Sequence, residues 1–270
     1  MNMLNLLFLF ALKIATASEM SCMGSVQEMQ FPVDLFVAGM EMEGTRTFAT
    51  EGQIVYLNGP RVSSMKPGTV QRVVRAEGRV RDPFTDAELG VYYKDIGTIK
   101  IEAVGQESAT ARVLSSCLGM FKGDLVLPHS EKPVVEFSGS LSNKVTTLPQ
   151  NGLVGTILLG KNDAREMAAG HFCFIGLGGR DGVKVGDRFT VFRRYPPFNS
   201  RDMDSLGKQA NVSYEKMGNE GEVNEMLRNR SIPPQILGDI VVVETGDSVS
   251  TGKIVNSLTN IHPGDLIIRR

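Results

Sequence analysis

Apolar and polar residues alternate in short runs along most of this chain, and glycines separate the runs. Ile99, Ile101 and Ala103 fall on one face of a strand, and Ile240, Val242 and Glu244 take the same places 141 residues later (240 − 99). Ala111, Val113 and Ser115 correspond in the same way to Gly252, Ile254 and Asn256. Residues 97–127 read GTIKIEAVGQESATARVLSSCLGMFKGDLVL and residues 238–268 read GDIVVVETGDSVSTGKIVNSLTNIHPGDLII, with eight of 31 positions identical and no gap. Upstream stands a second matching pair, IVYLNGPRVSSMKPGTVQRVVR from Ile54 and FCFIGLGGRDGVKVGDRFTVFR from Phe172. Self-similarity at a fixed offset is the mark of a duplicated structural unit.

Each unit is predicted to run strand, glycine turn, strand, excursion, then strand, turn, strand, Gly-Asp turn, strand. The excursions are residues 76–96 and 194–237. Glycine at Gly123, Gly186 and Gly264 supplies a positive φ, and Asp124, Asp187 and Asp265 after them can cap backbone N–H groups. At Gly68 the following residue is Thr69, a weaker cap. Paired turns of this kind entering strands suit small closed barrels, in which closure removes the exposed sheet edge. The expected fold is therefore mostly β, with two tandem small β-barrel units and a short helix and long loop in the second. The first barrel is placed at 52–128 and the second at 171–270, preceded by a candidate signal peptide at 1–17 and an extension at 18–51. The linker, 129–170, holds EKPVVEF and GLVGTILLG as strands, the latter an edge strand of the second barrel. Its NDAREMAAG reads as a short helix capped by Asn162 or Asp163 and closed by Gly170. Residues 220–230 read as a further helix after a polar loop. Ile240, Val242 and Val255 are expected to alternate in the barrel wall, one face intolerant of charge and the other tolerant.

Composition narrows the class. Of 270 residues, 41% are apolar and 22% charged, which excludes collagen-like, disordered and multi-span membrane chains. Twenty-nine glycines and no tryptophan agree with short strands and tight turns. A net charge of −1 gives no overall steering toward nucleic acid or anionic lipid, so only a local patch would serve. Three cysteines, Cys22, Cys117 and Cys173, are too few for a disulfide framework and lack metal-binding spacing. Cys117 and Cys173 lie in strand-like text and read as small buried hydrophobes, with a bond between them left open. Leu4–Ala17 is an apolar run of 14 residues, too short for a hydrocarbon core of about 30 Å. Ala15-Thr16-Ala17 supplies the small-x-small pattern of a secretory cleavage site, although no basic residue precedes the run; the other reading is a late start.

The strand-turn-strand text GHFCFIGLGGRDGVKVGDRFTVFRR, followed by LGDIVVVETGDSVSTGKIVNSLTNIHPGDLIIRR, resembles the C-terminal β-barrel module of flagellar assembly protein T. It is also similar to modules attached to LysM-bearing proteins of the bacterial envelope. The resemblance covers residues 152–270, and 52–128 more weakly. It implies a non-catalytic envelope role, with no catalytic residues to carry over. No LysM text is present, so neither peptidoglycan binding nor flagellar assembly follows from it.

Candidate chemistry is sparse. His171 and Cys173, with Asp163 and Glu166 upstream, are imaginable as a catalytic or metal cluster, but a strand histidine at a barrel rim is the preferred reading. Alternation sets His171 and Cys173 opposite Phe172 and Phe174, whose counterparts Ile54 and Tyr56 make the aromatic face the packed one. His129 and His262 read as turn residues. The glycines of residues 176–182 resemble a phosphate cradle, yet a dinucleotide loop needs a following helix and a strand follows here. Asp202 and Asp204 fall short of a calcium loop. Arg72, Arg75, Arg79 and Arg81 are interleaved with Glu77, Asp82, Asp86 and Glu88, which describes a solvated rim better than a nucleic-acid face. No cofactor or metal is expected. The binding candidates are Arg180, Asp181, Arg188, Arg193, Arg194 and Tyr195, and the structural turns are Gly68, Gly123, Asp124, Gly186, Asp187, Gly264 and Asp265. The resemblance, with the candidate signal peptide, implies an exported envelope module presenting loops, chiefly 194–221, to a protein or cell-wall glycan. The alternatives are a cytoplasmic RNA-binding barrel and, last, a hydrolase using His171.

Overall fold

The structure is a computed structural model and describes residues 12–42, 44–45, 47–133, 135–137, 148–149, 151–194 and 233–270. Strands β1 (Leu12–Lys13) and β2 (Ser25–Gln27) flank helix α1 (Ala17–Ser21). The first barrel follows as β3 (Phe36–Met40), β4 (Ile54–Asn58), β5 (Val70–Arg81), β6 (Glu88–Val104), β7 (Ser108–Ser116) and β8 (Leu125–Pro128). After β9 (Glu136–Phe137), the second comprises β10 (Val154–Gly160), β11 (Phe172–Ile175), β12 (Arg188–Arg193), β13 (Gln235–Thr245), β14 (Ser250–Ser257) and β15 (Leu266–Arg269).

All pairings within the barrels are antiparallel. The first closes in the order β3-β4-β7-β6-β5-β8 and the second as β10-β11-β14-β13-β12-β15, the same circuit strand for strand. Even the bulges repeat. Register shifts at Thr98/Ile99 and Ile101/Ala103 have counterparts at Asp239/Ile240 and Val242/Glu244. The second bulge turns Ala103 outward, so the alternation read through Ile99 and Ile101 ends there.

The duplication reaches further upstream than the sequence match. β3 and β10 begin 118 residues apart (154 − 36), as do β4 and β11 (172 − 54), so the barrels start at Phe36 and Val154 rather than at 52 and 171. The two first strands share little identity because the wall requires apolar inward positions and no particular side chain. β10 closes the second barrel between β11 and β15 instead of lying at an edge. The short helix expected from Asn162 is absent. Lys161–Asp163 forms one 3₁₀ turn, with Asn162 and Asp163 at φ of 56° and 61°. Met167 then bridges Ile261 and is buried in the barrel core, so tertiary packing overrides helix propensity.

Each barrel is filled by its inward residues, among them Val55, Leu57, Ile99, Ile101 and Val113 in the first and Cys173, Ile175, Ile240, Val242 and Ile254 in the second. Phe172 and Phe174 are packed, as expected, but they point out of the second barrel and are buried from outside, while Cys173 between them is buried inside. Phe172 packs with Val241 and Val243 under the N-terminal segment, and Phe174 packs against the first barrel. Their counterparts show the contrast: Ile54 is barely buried and Tyr56 is exposed. Val255 likewise belongs to the outer cluster, not to the interior.

The N-terminal segment is a strap across both barrels. Thr16 and Glu19 form a reciprocal capping box that starts α1, and Ile14, Ala15, Met20 and Met23 are buried against β11 and β13 of the second barrel. The Ala15-Thr16-Ala17 triplet is thus built into the fold. The Glu19 carboxylate pairs with Lys253 at 2.6 Å. Gly24 then turns the chain at φ 79°, where a Cβ would lie 2.8 Å from the Tyr93 carbonyl oxygen, so only glycine fits. Its N–H donates to the buried Asp95 carboxylate at 2.9 Å. β2 joins the first barrel beside β6. Between turn and helix, Cys22 is bonded to Cys117, with Cα atoms 5.6 Å apart. Cys117 is therefore half of a disulfide, with Cys22 as its partner, and Cys173 is the free, buried cysteine.

The barrels also touch directly. Val80, Tyr92 and Leu89 of the long β5–β6 hairpin pack with Phe174, Val249, Leu158 and Leu159. The excursion at 76–96 is thus a continuation of two barrel strands that lean on the second barrel. The Tyr92 and Phe174 rings meet edge-on at 5.1 Å, and the Asn162 N–H donates to the Tyr92 hydroxyl at 3.0 Å. Burial pushes the Tyr92 phenol up to about 12.

Candidate functional site

The sequence candidates divide between turns that shape the barrels and arginines that might have faced a ligand, and the structure joins the two groups. Gly68, Gly123, Gly186 and Gly264 sit at φ of 87°, 92°, 92° and 91°, where a side chain would be strained. Carboxylate oxygens of Asp124, Asp187 and Asp265 accept N–H bonds from Phe121, Lys184 and His262 at 2.8, 3.0 and 2.7 Å. Thr69 behaves differently, its hydroxyl donating to the Lys66 carbonyl at 2.7 Å.

Two of these aspartates are buried and each holds an arginine in a two-pronged ion pair. Arg75 Nε and a terminal nitrogen donate to Asp124 at 2.7 and 2.8 Å, and Arg193 does the same to Asp265 at 2.6 and 2.7 Å. The same guanidinium also donates to the Gly119 carbonyl in the first barrel and to the equivalent Asn260 carbonyl in the second. The hydrogen bond to Asp124 holds the Arg75 guanidinium above its ordinary range despite partial burial. Arg75 covers the Phe121 ring at 4.6 Å, and at the matching position Arg193 donates to His262 Nδ1 at 2.8 Å. One staple thus recurs in both units, tying the third strand to the turn before the sixth.

The remaining arginines are also engaged. Arg72 lies 3.2 Å from Asp95, Arg79 2.9 Å from Glu88 and Arg81 3.1 Å from Asp86. Arg188 lies 3.1 Å from Asp239, which also holds Arg270. Arg180, largely exposed, pairs with Glu28 across the two barrels at 2.7 Å. Asp181 accepts the Gly178 N–H at 2.8 Å and shapes the 3₁₀ turn Gly179–Asp181. Arg194 is exposed, 5.8 Å from the Phe192 ring. Tyr195, the loop through Gly221, the 220–230 helix and the Asp202–Asp204 pair lie outside the described residues. The glycines of 176–182 do not present a phosphate cradle, because the Gly179 and Arg180 N–H groups are taken by carbonyls of Gly246 and Asp247.

His171 and Cys173 part company. His171 precedes β11 and is exposed, its Nδ1 3.0 Å from the Ala168 carbonyl oxygen, whereas Cys173 points into the core. Burial pushes the Cys173 thiol up to about 12, far from a reactive thiolate. Asp163 is bound to Lys94, and Glu166 lies 3.1 Å from Asn260 and 3.9 Å from His262. Among the described residues no group of three or more His, Cys, Asp or Glu side chains could hold a metal ion. Nor is any helix among them long and apolar enough to cross a membrane.

What sequence reading missed is the junction between barrels. A cavity of about 450 Å³ opens there, between residues 77–81 of β5 with Tyr92 on one side and Leu158, Leu159 and Asp163 on the other. Lys94 bridges Glu77 at 3.1 Å and Asp163 at 2.5 Å across this cleft. Burial opposes the Lys94 charge, but hydrogen bonds to Asp163 and Glu77 outweigh it and raise the ammonium above its ordinary value. The chain matches no protein-family model and no curated protein.

Proposed function

We propose that this protein is a non-enzymatic binding module of the bacterial cell envelope, working in an oxidising compartment and presenting barrel loops to a protein or cell-wall glycan partner. The observation that carries the proposal is the Cys22–Cys117 bond. Disulfides persist in periplasmic and extracellular proteins and are rare where glutathione and thioredoxin keep thiols reduced. This one fixes a strap that holds both barrels, so it serves the architecture. The resemblance of the repeated barrel text to envelope modules points the same way. The RNA-binding alternative would need a free basic face, and Arg72, Arg75 and Arg79 each lie against a carboxylate.

The test is mass spectrometry of C-terminally tagged protein, quenched with a thiol-blocking reagent and recovered separately from periplasmic and cytosolic fractions of the native host. The expected result is a periplasmic chain yielding a linked Cys22–Cys117 peptide with Cys173 alkylated only after unfolding. A cytosolic chain with Cys22 and Cys117 both alkylated would overturn the envelope reading. The same spectra report the mature start. A start at Ser18 would remove Thr16 from the capping box and Ile14 and Ala15 from the core.

A further inference from the structure

The geometry points to a docking site for an extended peptide along the outer edge of β5, in the cleft between the barrels. β5 pairs with β6 along its whole length, but on its other side β8 reaches only Gln71–Val74. From Ala76 to Arg81 no described strand covers that side, so its outward backbone N–H and C=O groups are free to hydrogen-bond an added strand. Residues 77–81 all line the cleft, although Arg79 reaches Glu88 and the next residue, Val80, packs toward the second barrel. A strand face shows only alternate residues, so a cavity touching neighbours from both faces lies at the edge.

Two further observations fit a strand as the occupant. Gly78 stands mid-edge at a bulge in the β5–β6 pairing, with nothing within 4 Å of where a Cβ would be, so the backbone there is open to the approach of another chain. The opposite wall supplies Leu158 and Leu159, half-buried and apolar, beside Tyr92 and Val80. Charge sets the selectivity. Arg79 and Arg81 are each matched by one carboxylate, whereas among the described residues Lys94 alone serves both Glu77 and Asp163 and leaves that end of the cleft one negative charge in excess. The occupant is therefore a β-strand of a partner protein with an apolar residue at the leucines and a lysine or arginine at the Glu77–Asp163 end. This assignment does not depend on the compartment.

The probe is a combinatorial library of N-acetylated octapeptides, selected on the full chain with its disulfide intact. Enriched peptides are expected to alternate apolar with polar residues and to carry one basic position, and their affinity should fall by about tenfold or more in Gly78→Leu. Asp163→Asn should relax the basic preference without abolishing binding. In the unmodified protein, a bound peptide should slow hydrogen exchange at alternate amides between Ala76 and Arg81, a readout that needs no variant to fold. The proposal is overturned if no peptide is enriched, if the selected peptides leave those amides unprotected, or if Gly78→Leu folds and binds them equally well. Saturable binding of a peptidoglycan fragment in this cleft, with no peptide selected, would reassign it to a sugar.

Discussion

Arg193 and Asp265 show how a single residue pair holds a closed barrel at the seam where its third strand meets the turn before its last. Asp265 is 5% exposed, and its carboxylate is satisfied by the Arg193 guanidinium and the His262 N–H together. Taking the arginine away leaves a buried charge short of its partner, which costs more than a surface ion pair is worth. Arg193→Ala is expected to destabilise the protein by about 2–3 kcal/mol, discounted from the fully buried case because the arginine is partly exposed. Arg75→Ala should cost much the same, since its bonds to Asp124 and Gly119 duplicate those of Arg193. Urea denaturation of both variants checks this, and a cost under about 0.5 kcal/mol in either would make that staple a surface pair.

At the scale of the element, the two copies of one strand differ in what covers them. β13 carries Val241 and Val243 where β6 carries Lys100 and Glu102. Both β13 valines are buried beneath the strap, while both β6 residues are exposed. Val241→Asp on the outer face should therefore be as damaging as Val242→Asp on the inner one, roughly 3–5 kcal/mol each by burial of an unpaired charge. Lys100→Asp should change stability by about 0.5 kcal/mol or less. The same comparison explains what was legible in the sequence. The Gly-Asp turns, the repeat and the strands reveal themselves through spacing and positive-φ glycine, which are local demands. The reason that β13 is apolar on both faces lies elsewhere in the chain, in Ile14, Met20 and Met23, so periodicity alone leaves the inner face of β11 and β13 undecided. A double-sided apolar strand beside a one-sided copy was nevertheless the available signal for an external cover. The Arg75 and Arg193 partners escaped notice because the arginines were read with their sequence neighbours, and their carboxylates stand 49 and 72 residues away. The cleft escaped for a similar reason, its two walls belonging to different barrels.

In the whole molecule, the strap and the hairpin interface set the barrels in one arrangement, and the disulfide fixes the strap to the first barrel. Cys22→Ser with Cys117→Ser should leave both barrels closed by circular dichroism while costing about 2–4 kcal/mol, the usual range for a disulfide. Faster proteolysis within residues 14–27 should accompany it, and equal stability with and without the bond would deny the strap its role. Acid should loosen the same contact. The hydrogen bond from Lys253, with help from the Thr16 backbone, holds the Glu19 carboxyl below its ordinary 4.5. A depressed carboxyl contributes its stabilisation above the unfolded value and loses it as pH falls through the folded one. Stability of the native protein should therefore drop more steeply below pH 4.5 than that of Glu19→Gln, measured as melting temperature against pH. The bond between Cys22 and Cys117 also has a mechanical meaning. It closes a covalent ring spanning 95 residues, which contains nearly all of the first barrel. A pull applied between the two ends of the chain travels across the sulfur bridge and bypasses those residues, so roughly 300 Å of contour length stays hidden from tension until the bridge is reduced.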